Sequence, residues 1–133
     1  PPPAASMAVT AERVREAETV LLVAVGGFAG AVLRYAVDVV LPAGFPWGTL
    51  AVNVAGSFAL GLLLYESRLA GVLRSETRTV AGTGFLSSFT TYSTFAAETA
   101  ALSPALAAVN VVANYALAIA AVLLARRVTR GLV

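Results

Sequence analysis

The 133-residue chain contains no cysteine, no histidine and no lysine. Without cysteine there can be no disulfide, thiolate metal site or thiol nucleophile. Without histidine the commonest general base and the imidazole metal ligand are gone. Charge is scarce too, at 12% of residues against roughly 25% in an average globular chain. A small soluble domain exposes a larger share of its surface than a large one and needs more charge, not less. An ordinary cytosolic enzyme is thereby excluded. The nine basic residues are all arginine, set against six Glu and one Asp. The resulting net charge of +2 is too small to suggest a nucleic-acid partner. What is abundant is apolar surface, with 59% hydrophobic residues and a mean hydropathy of +0.84. This is the composition of a membrane protein and not of an enzyme.

Residues 1–18 differ from the rest. Three leading prolines and small residues predict disorder, and Thr10 with the charges up to Glu18 predicts a short polar helix leading into the membrane. The first apolar run begins late, is long and lacks a small-residue cleavage site, so a cleaved signal peptide is not expected. Four apolar stretches follow, at about residues 19–41, 46–65, 79–102 and 104–125. Each is near the 20 or so residues that cross a roughly 30 Å hydrocarbon core. The segment from Pro42 to Pro46 reads as a tight turn, residues 68–78 as a polar loop and Ser103-Pro104 as a very short one. The expectation is an all-α membrane protein, with one transmembrane domain over residues 19–127 and a tail over 128–133.

Arginine placement sets orientation. Arg13 and Arg15 precede the first span, Arg68, Arg74 and Arg78 lie between the second and third, and Arg126, Arg127 and Arg130 follow the fourth. The other two connections have none, a bias of eight to zero that places both termini in the cytoplasm.

Several residues are out of place on a lipid-facing helix. Arg34 lies within the first span, with Asp38 one turn later. A charge at mid-membrane costs on the order of 2.5–3.5 kcal/mol on insertion scales and calls for a partner or water. The i, i+4 spacing predicts an ion pair near the outer interface; the alternative is a positive charge that draws an anion inward or holds a dimer together. Gly26, Gly27 and Gly30 in the first span, and Gly48, Gly56 and Gly61 in the second, read as close helix packing. Thr49, Asn53 and Ser57 form one polar stripe, in which Asn53 either bonds across to another helix or lines an ionic pathway. Asn110 and Asn114 share a face of the fourth span.

The third span is the most unusual. Six of the eight residues from Ser87 to Thr94 are Ser or Thr, interleaved with Phe85, Phe89, Tyr92 and Phe95. Such hydroxyls either back-bond to their own helix or accompany irregular backbone, which survives at membrane depth only where protein or a cavity satisfies it. A broken helix frees carbonyls for a cation and amides for an anion. Ring edges carry the positive end of the aromatic quadrupole and suit a small anion. Both an ion site and a packing interface fit this pattern. Glu98, at i+3 from Phe95, either faces a vestibule or is simply solvated.

These residues, in this order, resemble the CrcB/Fluc family of fluoride channels. The matching stretches are GGFAGAVLRY (Gly26 to Tyr35), WGTLAVNVAGSF (Trp47 to Phe58), TGFLSSFTTYSTF (Thr83 to Phe95) followed by Glu98, and the asparagines at 110 and 114. The resemblance implies a four-helix subunit with its third helix broken at the centre, assembled as an antiparallel dual-topology-type dimer with fluoride pathways along the interface. It implies that the backbone carbonyls of Ser87 and Thr90 hold a structural sodium ion, and that Tyr92, Ser93, Thr94, Phe95 and Asn53 line a pathway. It further implies that Arg34, Glu98 and Asn114 are polar residues near the pathway's ends.

Three departures stand out. The Gly-Gly usual at the break is Ser87-Ser88, the first pore phenylalanine is Tyr92, and two positions usually hydroxyl-bearing are Ala118 and Val122. The expected function is passive export of fluoride from a bacterial plasma (inner) membrane. A subunit that inserts in both orientations has little arginine bias, so the bias here suggests pairing with an oppositely oriented paralogous subunit. Two alternatives follow. One is a degenerate, non-conducting partner subunit. The other is a small multidrug-type proton-coupled exporter, which needs a mid-membrane carboxylate where the first span offers only Asp38.

Overall fold

The computed structural model describes residues 3–69 and 71–132, with the side chains of Arg68 and Leu69 set aside. Among the described residues every regular element is helical. The order is α1 (Pro3–Val40), α2 (Trp47–Leu69), α3 (Ser75–Arg78), a π-helical stretch (Thr79–Leu86), α4 (Ser87–Phe89), α5 (Ser93–Ala101) and α6 (Pro104–Leu132). α1, α2 and α6 are the three helices long and apolar enough to cross a membrane.

α1 is one uninterrupted helix of 38 residues, about 57 Å at 1.5 Å per residue. Proline is tolerated in a first turn, where its missing N–H has no intrahelical partner. No other proline, and no glycine before Gly26, follows to stop the helix. The stretch ahead of Thr10, expected to be disordered, is therefore helical from Pro3 onward; Pro1 and Pro2 lie outside the described residues. The tail behaves likewise: α6 continues through residues 128–132, and Val133 lies outside the described residues. The Pro42–Pro46 turn forms as expected, with Gly44 at φ +107°, a conformation only glycine enters freely.

The expected loop at residues 68–78 is short and clasped; Ala70 and the Arg68 side chain lie outside the described residues. Glu66, near the end of α2, accepts the backbone N–H groups of Val72 and Leu73 on Oε1 at 2.6 and 2.9 Å. Its Oε2 takes Arg78 Nη2 at 3.2 Å.

Packing divides into two pairs. α1 lies against the π-helical stretch through glycines: a Cβ at Gly26 would strike the Val80 carbonyl oxygen, and one at Gly30 the Phe85 carbonyl oxygen. Gly84 meets the same seam from the other side: a Cβ there would lie 3.1 Å from Gly26 Cα. α2 and α6 form the second pair, with Gly61 admitting Ala125. In lipid there is no hydrophobic drive between helices, so close backbone approach and its dispersion contacts take over. Accordingly many large apolar side chains are exposed, and the buried set is small.

Candidate functional site

The third apolar stretch is interrupted at Thr90–Tyr92 rather than at the Ser87-Ser88 pair, where the family resemblance put the break. The reason is local. Ser87 Oγ donates back to the carbonyls of Thr83 and Gly84, which keeps the serine pair helical. The chain leaves the helix at Thr90, which turns to ψ 159° while its N–H and hydroxyl still bond the Leu86 carbonyl at 3.0 and 2.9 Å.

What holds the break is a side chain from α2. Asn53 Nδ2 donates to the Thr91 carbonyl at 2.9 Å, and Asn53 Oδ1 accepts the Thr91 N–H at 2.9 Å. A carboxamide has the same donor and acceptor pair as a peptide group, so Asn53 replaces the helical partners Thr91 has lost. Thr91 itself caps the next helix, its Oγ1 accepting the Thr94 N–H at 3.1 Å. Sequence reasoning overlooked Thr91; its signal was a threonine three residues ahead of a new helical turn.

The polar stripe on α2 thus faces the third stretch. Thr49 donates to Glu98 Oε1 at 2.5 Å, Asn53 grips Thr91, and Ser57 back-bonds to the Asn53 carbonyl at 2.7 Å. Of the two readings of Glu98 left open, neither included Thr49 as its partner. On α6, Asn114 Nδ2 donates to both the carbonyl and Oδ1 of Asn110. Asn110 Nδ2 passes to Thr99 Oγ1 at 2.8 Å, and Thr99 Oγ1 donates to the Phe95 carbonyl at 2.6 Å. Asn110 is fully buried, and the chain of bonds ties α6 to α5 beneath Phe95. The asparagine face was visible in the sequence, whereas Thr99 was not.

The aromatic pair sits just past the break. Tyr92 and Phe95 have ring centroids 5.9 Å apart, with Phe95 buried and Tyr92 73% exposed. Tyr115 meets Phe95 edge-on. Ser93 and Thr94 are exposed between them on the first turn of α5.

Three open clefts adjoin the break. One, of about 250 Å³, is lined by Arg34, Asp38, Thr49, Thr91, Thr94 and Glu98. A second brings together Asn53, Ser57, Ser87, Thr90 and Tyr92. The third is walled by Asn53, Phe95, Asn114, Tyr115 and Ala118. Asn53 and Thr91 line the second and third alike. Every predicted site residue except Ser93 lines one of these clefts.

The expected Arg34–Asp38 ion pair is not formed. Helical spacing permits it, but Asp38 reaches across to α2 instead: its Oδ1 lies 2.7 Å from where a Cβ on Gly48 would be. The missing side chain at Gly48 makes that room. Arg34 is left half-buried, as the cationic wall of the first cleft.

Among the described residues no group of three carboxylate, thiol or imidazole side chains gathers to hold a metal. Backbone oxygens are a different matter. No donor among the described residues meets the carbonyls of Ser87 and Thr90, because Thr91 N–H is taken by Asn53 and Thr94 N–H by Thr91. Unpaired carbonyl oxygens are the ligand type that replaces the hydration shell of a hard monovalent cation.

Comparison with known proteins places the chain in a family. Residues 21–126 match the family profile described as "CrcB-like protein, Camphor Resistance (CrcB)". The chain is 62% identical over 111 residues to Fluoride-specific ion channel FluC 1 of Natronomonas pharaonis, covering 84% of this chain and 93% of that one. It is 58% identical over 113 residues to Fluoride-specific ion channel FluC 1 of Haloarcula marismortui, covering 85% and 87%. Fluoride-specific ion channel FluC of Methanopyrus kandleri is 47% identical over 106 residues, covering 76% and 81%. With membrane-crossing helices, a profile match over most of its length and these relatives, the chain belongs to the CrcB family, a family of ion channels and not of enzymes.

Proposed function

We propose that this chain is a subunit of a fluoride channel that lets fluoride leave the cytoplasm by passive electrodiffusion. The observation that carries the reading is the Asn53 clasp on Thr91, which holds an interrupted helix open and presents Tyr92, Ser93, Thr94 and Phe95 beside it. The chain then spans the membrane four times, the fourth crossing being the pieced third stretch, and works as an antiparallel dimer whose pathways run along the subunit interface.

The chemistry asked of these residues is desolvation. Fluoride binds its water tightly, so a narrow passage must offer donors in its place. Asn53 keeps its second Nδ2–H free of the Thr91 bond. Ser93 and Thr94 supply hydroxyls, and the ring edges of Tyr92 and Phe95 supply the positive rim of their quadrupoles. Arg34 raises the local anion concentration in the cleft it lines. Glu98, held by Thr49, keeps its carboxylate engaged with a donor. Outward flow follows from a negative-inside potential, worth about 2.3 kcal/mol per charge per 100 mV.

A sodium ion at the dimer centre would be held by the carbonyls of Ser87 and Thr90 with the same pair of a second subunit. Bound there it supplies fixed positive charge and joins the two subunits at the break. The free state of those carbonyls supports this assignment.

The test is fluoride efflux from liposomes holding the purified chain alone, read with a fluoride electrode, with chloride-loaded liposomes as control. Rapid, fluoride-selective efflux is expected of a homodimer. Efflux only after co-reconstitution with an oppositely oriented homologue makes the chain half of a heterodimer, in line with its arginine bias. A second reading is favoured by Ala118, which puts a methyl group in the wall of the cleft shared by Asn53 and Phe95. In it the subunit completes the dimer without conducting, and substituting Phe95 leaves the flux of the co-reconstituted pair unchanged.

A further inference from the structure

One peptide group at the break is held by α2 at two points. Its N–H, that of Thr91, is taken by Asn53 Oδ1. The Thr90 carbonyl belongs to the same trans peptide plane, so it points the opposite way, away from Asn53. Asn53 therefore fixes how this peptide is turned. It does not fix where the Thr90 end lies against α2.

That end rests on Gly56, one helical turn further along the same face of α2. Gly56 is buried, and a Cβ on it would strike Thr90 Cγ2 and touch Phe89 Cδ2 at 3.6 Å. The Thr90 methyl group thus occupies the place of the missing side chain. Nor is it free to swing aside. Thr90 Oγ1 donates to the Leu86 carbonyl at 2.9 Å, and turning χ1 of a β-branched residue to move the methyl breaks that bond. A methyl group on Gly56 pushes on the Thr90 backbone and not only on its side chain.

Depth matters as well. Gly56 lies midway between Trp47 and Tyr65, nine residues from each, or about 13.5 Å at 1.5 Å per residue. Aromatic residues of these two types mark the two membrane interfaces. Thr90 is thereby held near mid-depth, the level at which a subunit and an inverted second copy present the same carbonyl to each other.

We propose, on the footing of the sodium assignment above, that Gly56 is a positioning residue for the cation: its missing side chain seats the Thr90 methyl group and so sets the place of the Thr90 carbonyl. Gly56 itself touches no ion. Gly61, on the same helix, admits only Ala125 of α6 and has no such role.

The test uses the purified full chain, its melting temperature followed while sodium replaces N-methylglucamine at constant ionic strength. A cation that binds the folded protein raises the melting temperature, and the concentration dependence gives its affinity. Gly56→Ala is expected to weaken sodium binding about tenfold, the lower end of the effect of a residue standing behind a metal's ligands. Thr90→Ser removes the methyl group, keeps the hydroxyl, and is expected to weaken binding less. Combining the two moves one methyl group across the seam and is expected to restore wild-type affinity. Gly61→Ala drives a methyl group into Ala125, away from the break; it is expected to lower the melting temperature at every sodium concentration and leave the affinity unchanged.

Unchanged sodium affinity in Gly56→Ala overturns the proposal. So does an equal loss in Gly61→Ala, since that marks a general loosening of the helices. Where Gly56→Ala does not fold, the double variant decides, and binding no tighter than that of Thr90→Ser alone overturns the proposal. A wild-type protein indifferent to sodium removes the cation assignment and this role of Gly56 with it, while fluoride efflux from the same preparation still tests the channel on its own.

Discussion

Replacing Asn53 by alanine tests the clasp at the centre of the site. The substitution removes two hydrogen bonds at once and leaves both the N–H and the C=O of Thr91 without partners. Side-chain hydrogen bonds between membrane helices are worth about 0.6 kcal/mol on average and up to about 1.7. Two of them total about 1–3 kcal/mol, which is fivefold to more than a hundredfold in the ratio of ordered to disordered break. The Asn53→Asp variant isolates half of the effect. Its carboxylate still accepts the Thr91 N–H but opposes the Thr91 carbonyl and adds a negative charge beside the proposed anion pathway.

Two assays read the outcome. Hydrogen–deuterium exchange at the Thr91 amide reports the clasp, and liposome efflux reports the pathway. Asn53→Ala is expected to speed exchange at Thr91 and to cut fluoride flux within the range above. Asn53→Asp is expected to leave that amide protected and still abolish flux. An alanine variant with wild-type exchange and wild-type flux would refute the reasoning outright.

Three further outcomes follow from other contacts. Gly30→Ala drives a methyl group into the Phe85 carbonyl and is expected to destabilise by about 1–3 kcal/mol in thermal unfolding, whereas Gly131→Ala meets open space and is expected to be neutral. Asn110→Ala removes the donor to Thr99 Oγ1 and one of the two acceptors of Asn114 in a buried site; it is expected to lower stability by about 1–3 kcal/mol and to broaden the Phe95 ring signals in NMR. Thr49→Val removes the hydroxyl that Glu98 accepts; it is expected to cost about 1–2 kcal/mol in unfolding, with a Thr49→Ser variant restoring it.

The three long apolar helices were legible because hydropathy and length determine them, and they contain the first, second and fourth of the expected stretches. Their ends were not. Hydropathy measures where lipid stops, whereas a helix stops at a breaker or a cap, so α1 runs back to Pro3 and α6 on to Leu132. In the third stretch, density of hydroxyls announced an irregularity without fixing its position. Serine back-bonding kept residues 87–89 helical, and the break settled at Thr91 because a residue far away in sequence could satisfy it there. Arg34 and Asp38 illustrate the same limit. Their spacing permits a pair, but the space above Gly48 was available only once α1 and α2 had packed. The site residues themselves gather around the break, as their order suggested, yet the bonds that position them run through Thr91 and Thr99.

The Asn53–Thr91 clasp also imposes an order on biogenesis. The two residues are 38 positions apart, with the asparagine upstream. At roughly 5–20 residues per second, a ribosome makes Asn53 about 2–8 seconds before Thr91. The peptide groups of the break therefore enter the membrane with their future partner already in place, and need not wait exposed to hydrocarbon. A rearranged gene that encodes α2 after the third stretch would deliver the same residues in the wrong sequence of events, and the nascent break would have to survive in lipid until its splint arrived.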